Sequence, residues 1–324
     1  MANYNRQTGE KIAVDRANAP LTSLAFSPNG QRLFSGCWDK NIYCTDFESG
    51  QTQTLSGHAD FVKCLLTTTL SGVPVLLSGS ADATIILWDL NTGKALHKLK
   101  GHAKAVHFLA IDPLSLPSAP SVPTKEIVLF SASSDREIRR WHVSLDRAFE
   151  LPESERSPIL SHETSIYTLR FDSDGDLWTA SADKTAKHLV RGRNWGADTV
   201  LKHPDFVGDV VVAEDLGLVV TACRDEEVRV WDASSGDLWV TYEGHFEEVT
   251  GLLRVGRSTV VSVSIDGTIR QWSLDKAEMR HFKEEREREA SGQGVDDGRA
   301  EQSGKPGLTA EEEAELAELM DDDD

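Results

Sequence analysis

"GHADFVKCLL" (Gly57–Leu66), followed by "LLSGSADATIILWDLNTGK" (Leu76–Lys94), sets a pattern that recurs along the chain. In it a hydroxyl residue is followed four positions later by Asp, and six positions after that usually by Trp. The pairs are Ser35/Asp39, Ser78/Asp82, Ser131/Asp135, Thr179/Asp183, Thr221/Asp225 and Ser262/Asp266. The Asp anchors lie 43, 53, 48, 42 and 41 residues apart. Such a period points to one domain built of repeats rather than two ordinary domains.

Between Asp and Trp the residues alternate, as in "ATIILW" (Ala83–Trp88), "EEVRVW" (Glu226–Trp231) and "GTIRQW" (Gly267–Trp272). β-Branched, period-two runs bounded by turn residues read as strands, about four to a repeat. No amphipathic stretch of helical length occurs before residue 276, so the fold class is all-β. The opening "TGEKIAVDR" (Thr8–Arg16) has the outline of "TGKALHKLKGH" (Thr92–His102), a strand that elsewhere lies between two units. "PLSLPSAPSVPTK" (Pro113–Lys125) and "ELPESERSP" (Glu150–Pro158) interrupt the rhythm. Proline removes ladder donors, so the first must be a loop.

These residues resemble the WD-repeat β-propeller family, in GH at Gly57/His58, Gly101/His102 and Gly244/His245, and in WD at Trp88/Asp89 and Trp231/Asp232. The resemblance covers about residues 8–275 and implies four-stranded blades around a channel. It also implies a buried network in each blade. Four repeats keep the full set: His58/Ser78/Asp82/Trp88, His102/Ser131/Asp135/Trp141, His203/Thr221/Asp225/Trp231 and His245/Ser262/Asp266/Trp272. A buried Asp needs partners. His and backbone amides can supply them, the hydroxyl can hold the far side of His, and Trp adds area and an N–H. The fourth unit has His162, Thr179 and Asp183 but Leu189 for Trp, and the first has Thr45 for Trp and no GH. Those two blades are expected to be the least rigid.

Six repeats favour six blades, with seven or an open ring as alternatives. The N-terminal "EKIAVD" is the favoured strand to close the last blade, "KAEMRHF" (Lys276–Phe282) competes with it, and a strand from another protein is the third option. The domain is expected to span residues 1–275, with an acidic, partly helical and partly disordered tail at 276–324. In the tail, 291–307 should be disordered and a short helix should begin near Thr309.

Net charge is −19, and residues 276–324 carry 7 Lys/Arg against 17 Asp/Glu. This disfavours general nucleic-acid binding and suits a basic partner for the tail. Four scattered cysteines, no secretory signal and no membrane-length apolar run suggest an intracellular protein of the cytoplasm or nucleus, without membrane insertion.

A recurring Ser–His–Asp set is a fastener rather than a hydrolase triad, since one catalytic site needs no copies. "DSDGD" (Asp172–Asp176) lacks the Gly and Glu positions of a calcium loop and reads as a turn. No cofactor, metal or catalytic residue is expected. Lys184, Lys187, Arg191 and Arg193 form a local basic spot. Family resemblance implies partner contacts beside His and before Asp, which fall on Trp38, Phe61, Lys63, His107, Tyr167, Phe206, Arg224 and Glu248. Trp, Tyr and Arg dominate interface energetics. The expectation is a non-catalytic scaffold or adaptor that binds proteins on that face. Alternatives are an RNA-associated subunit of an RNA-modifying or ribosome-assembly complex, or the substrate receptor of a ubiquitin ligase. The latter is weakened because Asn91 and Ser234 stand where the adaptor signature needs Arg.

Overall fold

The computed structural model describes residues 2–4, 11–13, 17, 19–119, 122–152 and 158–290. Two strands come first, β1 (Ala2–Tyr4) and β2 (Lys11–Ala13), paired as a hairpin of their own. Five four-stranded antiparallel sheets follow in chain order. The first holds β3 (Leu21–Phe26), β4 (Arg32–Cys37), β5 (Asn41–Asp46) and β6 (Thr52–Ser56). The second holds β7 (Val62–Leu70), β8 (Val73–Ser80), β9 (Thr84–Asp89) and β10 (Lys94–Lys100). The third holds β11 (Val106–Ile111), β12 (Glu126–Ser133), β13 (Ile138–Ser144) and β14 (Ala148–Glu150). The fourth holds β15 (Ile166–Phe171), β16 (Leu177–Ser181), β17 (Thr185–Val190) and β18 (Gly196–Lys202). The fifth holds β19 (Val207–Ala213), β20 (Leu218–Cys223), β21 (Val228–Asp232) and β22 (Leu238–Tyr242). The sixth sheet has three strands, β23 (Val249–Val255), β24 (Thr259–Ser264) and β25 (Ile269–Ser273).

Each sheet is a meander because its turns are short and its strands carry β-branched residues at alternate positions. The Asp anchor closes the turn between the second and third strands in all six. Its carboxylate accepts the amide two residues on, as in Asp39 to Asn41, Asp82 to Thr84, Asp135 to Glu137 and Asp266 to Thr268. The residue between takes a left-handed conformation, with φ of 76° at Lys40, 63° at Ala83 and 78° at Gly267. An Asx-type bond of this kind makes such a turn affordable without glycine.

Consecutive sheets pack through their inner strands, β3 on β7, β7 on β11, β11 on β15, β15 on β19 and β19 on β23. The core therefore lies between sheets. One cluster joins Leu77, Ile85 and Leu87 of the second sheet to Val106, Leu129 and Trp141 of the third. Close approach demands small residues on the sheet face: a Cβ at Gly79 would stand 2.8 Å from Val106 Cγ1, and one at Gly36 2.9 Å from Val62 Cγ1.

The expected closing strand is corrected here. Among the described residues the last sheet keeps three strands, and Lys11–Ala13 pairs with Ala2–Tyr4 instead. "KAEMRHF" is no strand either, since it opens helix α1 (Lys276–Ala290). Asp275 caps that helix by accepting the amides of Ala277 and Glu278. The compact unit comprises Met1–Arg280 and a second comprises His281–Asp324. The expectations for residues 291–324 lie outside the described residues.

Pro113–Lys125 runs between β11 and β12, opening with a 3₁₀ turn at Pro113–Ser115 under an Asp112 cap. In the fourth sheet Leu189 is fully buried where Trp was missing, and Trp195 from the following turn joins the same core cluster.

Candidate functional site

The blade network has the geometry of a fastener. In the second sheet His58 Nδ1 lies 3.1 Å from Asp82 Oδ2, His58 Nε2 2.7 Å from Ser78 Oγ, and Trp88 Nε1 donates to the same Oγ at 2.8 Å. The third sheet repeats this with His102, Asp135, Ser131 and Trp141, and the sixth with His245, Asp266, Ser262 and Trp272. The fourth joins His162 to Asp183 and Thr179. Burial alone would raise the carboxyls of Asp82, Asp135, Asp183 and Asp266. Hydrogen bonds from the turn and the facing His outweigh it and hold them well below the usual carboxylate range. Burial pushes the His58 and His162 pKa values down, so these rings are neutral fasteners.

The fifth sheet departs from the sequence expectation. His203 Nε2 meets Thr221 Oγ1 at 2.8 Å and Trp231 Nε1 donates to that hydroxyl, but His203 Nδ1 faces the Leu201 carbonyl. Asp225 is held by Arg229, whose two terminal nitrogens donate to it at 3.0 and 2.7 Å. Arg229, on β21 four residues after the turn Asp225, occupies both of its carboxylate oxygens. Burial and the Arg229 charge lower the His203 pKa to about 4. In the first sheet Tyr43 takes the role of the missing His by donating its hydroxyl to Asp39.

Inside the ring lies a channel of about 680 Å³ that the inner strands of all six sheets line. Each of those strands carries a register shift at its start, such as Val62/Cys64, Val106/Phe108 and Ile166/Thr168. A bulge leaves one residue unpaired and re-aims its side chain. The bulged residues include Lys63, His107 and Tyr167, and all three line the channel. The sequence marked these positions by family resemblance only; the bulge supplies the physical reason they point inward.

The marked residues touch in three groups. Trp38 stacks on Phe61 with centroids 5.1 Å apart and planes 12° apart. The Lys63 ammonium lies 6.0 Å from the Phe61 centroid. His107 meets Tyr167 edge-on at 5.2 Å and places Nε2 2.6 Å from Ser134 Oγ. Burial, aided by the nearby Lys63 charge, lowers the His107 pKa to about 4. Arg224 lies 5.3 Å from the Phe206 ring and 3.9 Å from a Glu248 oxygen. Burial and the Glu248 charge raise the Tyr167 pKa, against a smaller opposing effect of Arg224. Trp38 keeps 44% of its surface exposed, a large aromatic held rigid yet wet.

The basic spot of the fourth sheet is mostly spent internally. Lys184 donates to the Pro204 carbonyl, Lys187 to the Ser161 carbonyl, and Arg191 makes a bidentate pair with Asp112 at 2.9 and 2.8 Å. "DSDGD" forms a turn closed by Gly175 N–H to the Asp172 carbonyl. Its Asp172 and Asp176 come together with His188, within 4.8 Å of one another, which linear spacing did not show. Those oxygens already accept the Asp174, Asp176 and Arg191 amides and face the His188 ring.

Radial antiparallel sheets around a lined channel, four of them fastened by a buried His–hydroxyl–Trp set, define a β-propeller. A family model described as "WD domain, G-beta repeat" matches residues 9–46, 49–89, 155–188 and 236–273. An uncharacterized WD repeat-containing protein of Schizosaccharomyces pombe is 35% identical over 307 residues, covering 93% of this chain and 75% of that protein. Nuclear distribution protein nudF of Aspergillus niger is 30% identical over 290 residues, covering 83% of this chain and 62% of its own length. Pre-mRNA-processing factor 19 of Mus musculus is 26% identical over 181 residues, 55% of this chain and 32% of that protein. The chain belongs to the WD-repeat family. That family is generally a non-catalytic interaction fold, and none of these relatives is named for an enzyme activity. No described helix is long and apolar enough to cross a membrane.

Proposed function

We propose that the protein is an intracellular scaffold, of the cytoplasm or nucleus, that binds a partner protein at the channel mouth. The reading is supported by the stacked Trp38–Phe61 pair beside Lys63, the His107–Tyr167 contact and the Phe206–Arg224–Glu248 group. A stacked, half-exposed aromatic pair loses little conformational freedom on binding, so its burial converts into affinity with little ordering cost. Arg224 over Phe206, with Glu248 beside it, adds a charged rim that would select among partners. The acidic C-terminal tail is proposed as a second contact for a basic partner.

The test is affinity recovery from cell extract with the intact protein and the Trp38→Ala/Phe61→Ala variant. Trp38 is exposed and Phe61 half-buried, so thermal unfolding should shift little. Loss of the recovered proteins, with the melting curve retained, is the expected result. An unchanged set of recovered proteins would remove this face from consideration.

A further inference from the structure

Four fully charged side chains line the channel: Lys63, Arg170, Asp209 and Glu248. Three of them are answered within the chain. Arg170 lies 3.6 Å from an Asp209 oxygen, and Asp209 also accepts the Val210 and Leu252 amides. Glu248 has Arg224 beside it at 3.9 Å. Lys63 makes no hydrogen bond and no ion pair with any described residue; its ammonium faces the Phe61 ring, 6.0 Å from the centroid. Lys63 is half-buried. Such an ammonium has given up part of its hydration, and a ring face returns little of it.

A second donor stands on the other side of His107. That ring meets Tyr167 edge-on at 5.2 Å and also feels the Lys63 charge. The Tyr167 hydroxyl likewise has no hydrogen-bond partner among the described residues. Burial and the Glu248 charge keep it protonated, hence able to donate. His107 itself is uncharged near neutral pH, with its pKa lowered to about 4, and its Nε2 is engaged by Ser134.

The loops around the mouth have the same polarity. In all six sheets the residue before the Asp anchor donates its amide to the carbonyl of the residue before the inner strand, as Ala81 does to Phe61 and Arg224 to Phe206. The Asp turns and the His loops therefore share one end of the sheets. Anchors aside, the first three sheets put Lys40, Lys63, Lys104 and Arg136 there against Asp60. The last three put Glu163, Asp205, Glu226, Glu247 and Glu248 there against Lys184 and Arg224. Lys63 thus belongs to a basic half-rim on a chain of net charge −19.

We propose that the partner protein places a carboxylate side chain, Asp or Glu, in the channel mouth against Lys63, with the Tyr167 hydroxyl as second donor and an apolar neighbour laid on the Trp38–Phe61 stack. This rests on the reading of the mouth as a partner site and names the chemistry of the group that enters it. A carboxylate suits the site better than a phosphate, because phosphates are gathered by clusters of Arg. The Arg residues near this channel, Arg170 and Arg224, already face Asp209 and Glu248. Complementarity of this kind chooses among partners more than it raises affinity.

Random linear peptides displayed on phage and selected on the full chain are the probe. Those kept are the ones that the Trp38→Ala/Phe61→Ala protein no longer binds. They should share an Asp or Glu at one position. Replacing it by Asn or Gln in the synthetic peptide should weaken binding about tenfold, and Lys63→Met, which keeps an apolar stem, should do the same. The two changes together should cost little more than either alone, an outcome that loss of folding would not produce. Selection on Lys63→Glu should exchange the acidic position for Lys or Arg. Peptides that need Trp38 and Phe61 but share no carboxylate would overturn the proposal and leave the mouth as a partner site. So would peptides that bind Lys63→Met or Tyr167→Phe as tightly as the intact protein. Tighter binding of a phosphoserine version would overturn it in favour of phosphate. Failure to select any peptide that depends on Trp38 and Phe61 would remove the mouth itself, and the carboxylate contact with it.

Discussion

Ser78 offers a sharp test of how the blades are fastened. Its hydroxyl is fully buried, accepts the Trp88 indole N–H at 2.8 Å and lies 2.7 Å from His58 Nε2. Ser78→Ala would strand both the indole donor and the imidazole nitrogen. A buried polar group left unsatisfied costs about 1–3 kcal/mol, so the pair should cost about 2–6 kcal/mol. Trp88→Phe removes the donor and some packing but leaves Ser78 bonded to His58. In the double variant no indole remains to be stranded, so its cost should fall short of the sum by about 1–2 kcal/mol. Urea unfolding followed by circular dichroism gives the three values, compared at equal slope. Additivity within about 0.5 kcal/mol would refute the shared hydroxyl as the joint. Thr179→Val in the fourth sheet provides the control: with Leu189 in place of Trp there is no indole to strand, and the loss should be about 1–3 kcal/mol.

Further outcomes follow from the same geometry. Asp225→Ala should cost about 1–3 kcal/mol by leaving Arg229 without its main acceptor, and adding Arg229→Met should recover part of that; a full loss in both proteins would return Asp225 to a His203 role. Gly79→Val should lower thermal stability by about 1–3 kcal/mol, because the added Cβ would press on Cys64 Sγ and Val106; an unchanged midpoint would refute close packing of the second and third sheets at this point. His188 titrates in the opposite sense to the network rings. Burial disfavours its charge, but hydrogen bonds to Asp172 and Asp198 prevail and raise its pKa. A raised folded pKa contributes stability that is complete below the unfolded value, about 6.5, and is lost as pH rises through the folded pKa. The stability gap between the intact protein and His188→Gln should therefore be widest below about pH 6 and narrow toward alkaline pH; a gap that widens with pH would refute the pairing.

The fasteners and the candidate face are separate populations of residues. The first are buried, internally satisfied and repeated, so they can carry no message that distinguishes one blade from another. The second are bulged or turn-flanking neighbours of those fasteners, different in every sheet. Rigidity comes from one set and selectivity would come from the other. In the second, fourth and fifth sheets burial lowers the His pKa values, and in the second and fifth the hydroxyl also accepts an indole N–H.

By itself the sequence determined the repeat, the all-β class and the position of each Asp turn, while the network joining hydroxyl, His and Trp came from family resemblance. These rest on short-range chemistry, since an Asp that closes its own turn and residues ten apart on adjacent strands meet whatever lies around them. Tertiary structure decided what each Asp does with its second oxygen. Arg229, Tyr43 and the GH histidines compete for it, and the winner depends on distances that only the packed sheet fixes. The bulges that turn Lys63, His107 and Tyr167 into the channel were likewise invisible, because a register slip is a property of two strands together. Exposure was decided there too: Leu24 and Ile269 read like Leu109 and Ile85, yet they are 50% and 73% exposed where those are buried, because burial depends on what packs alongside.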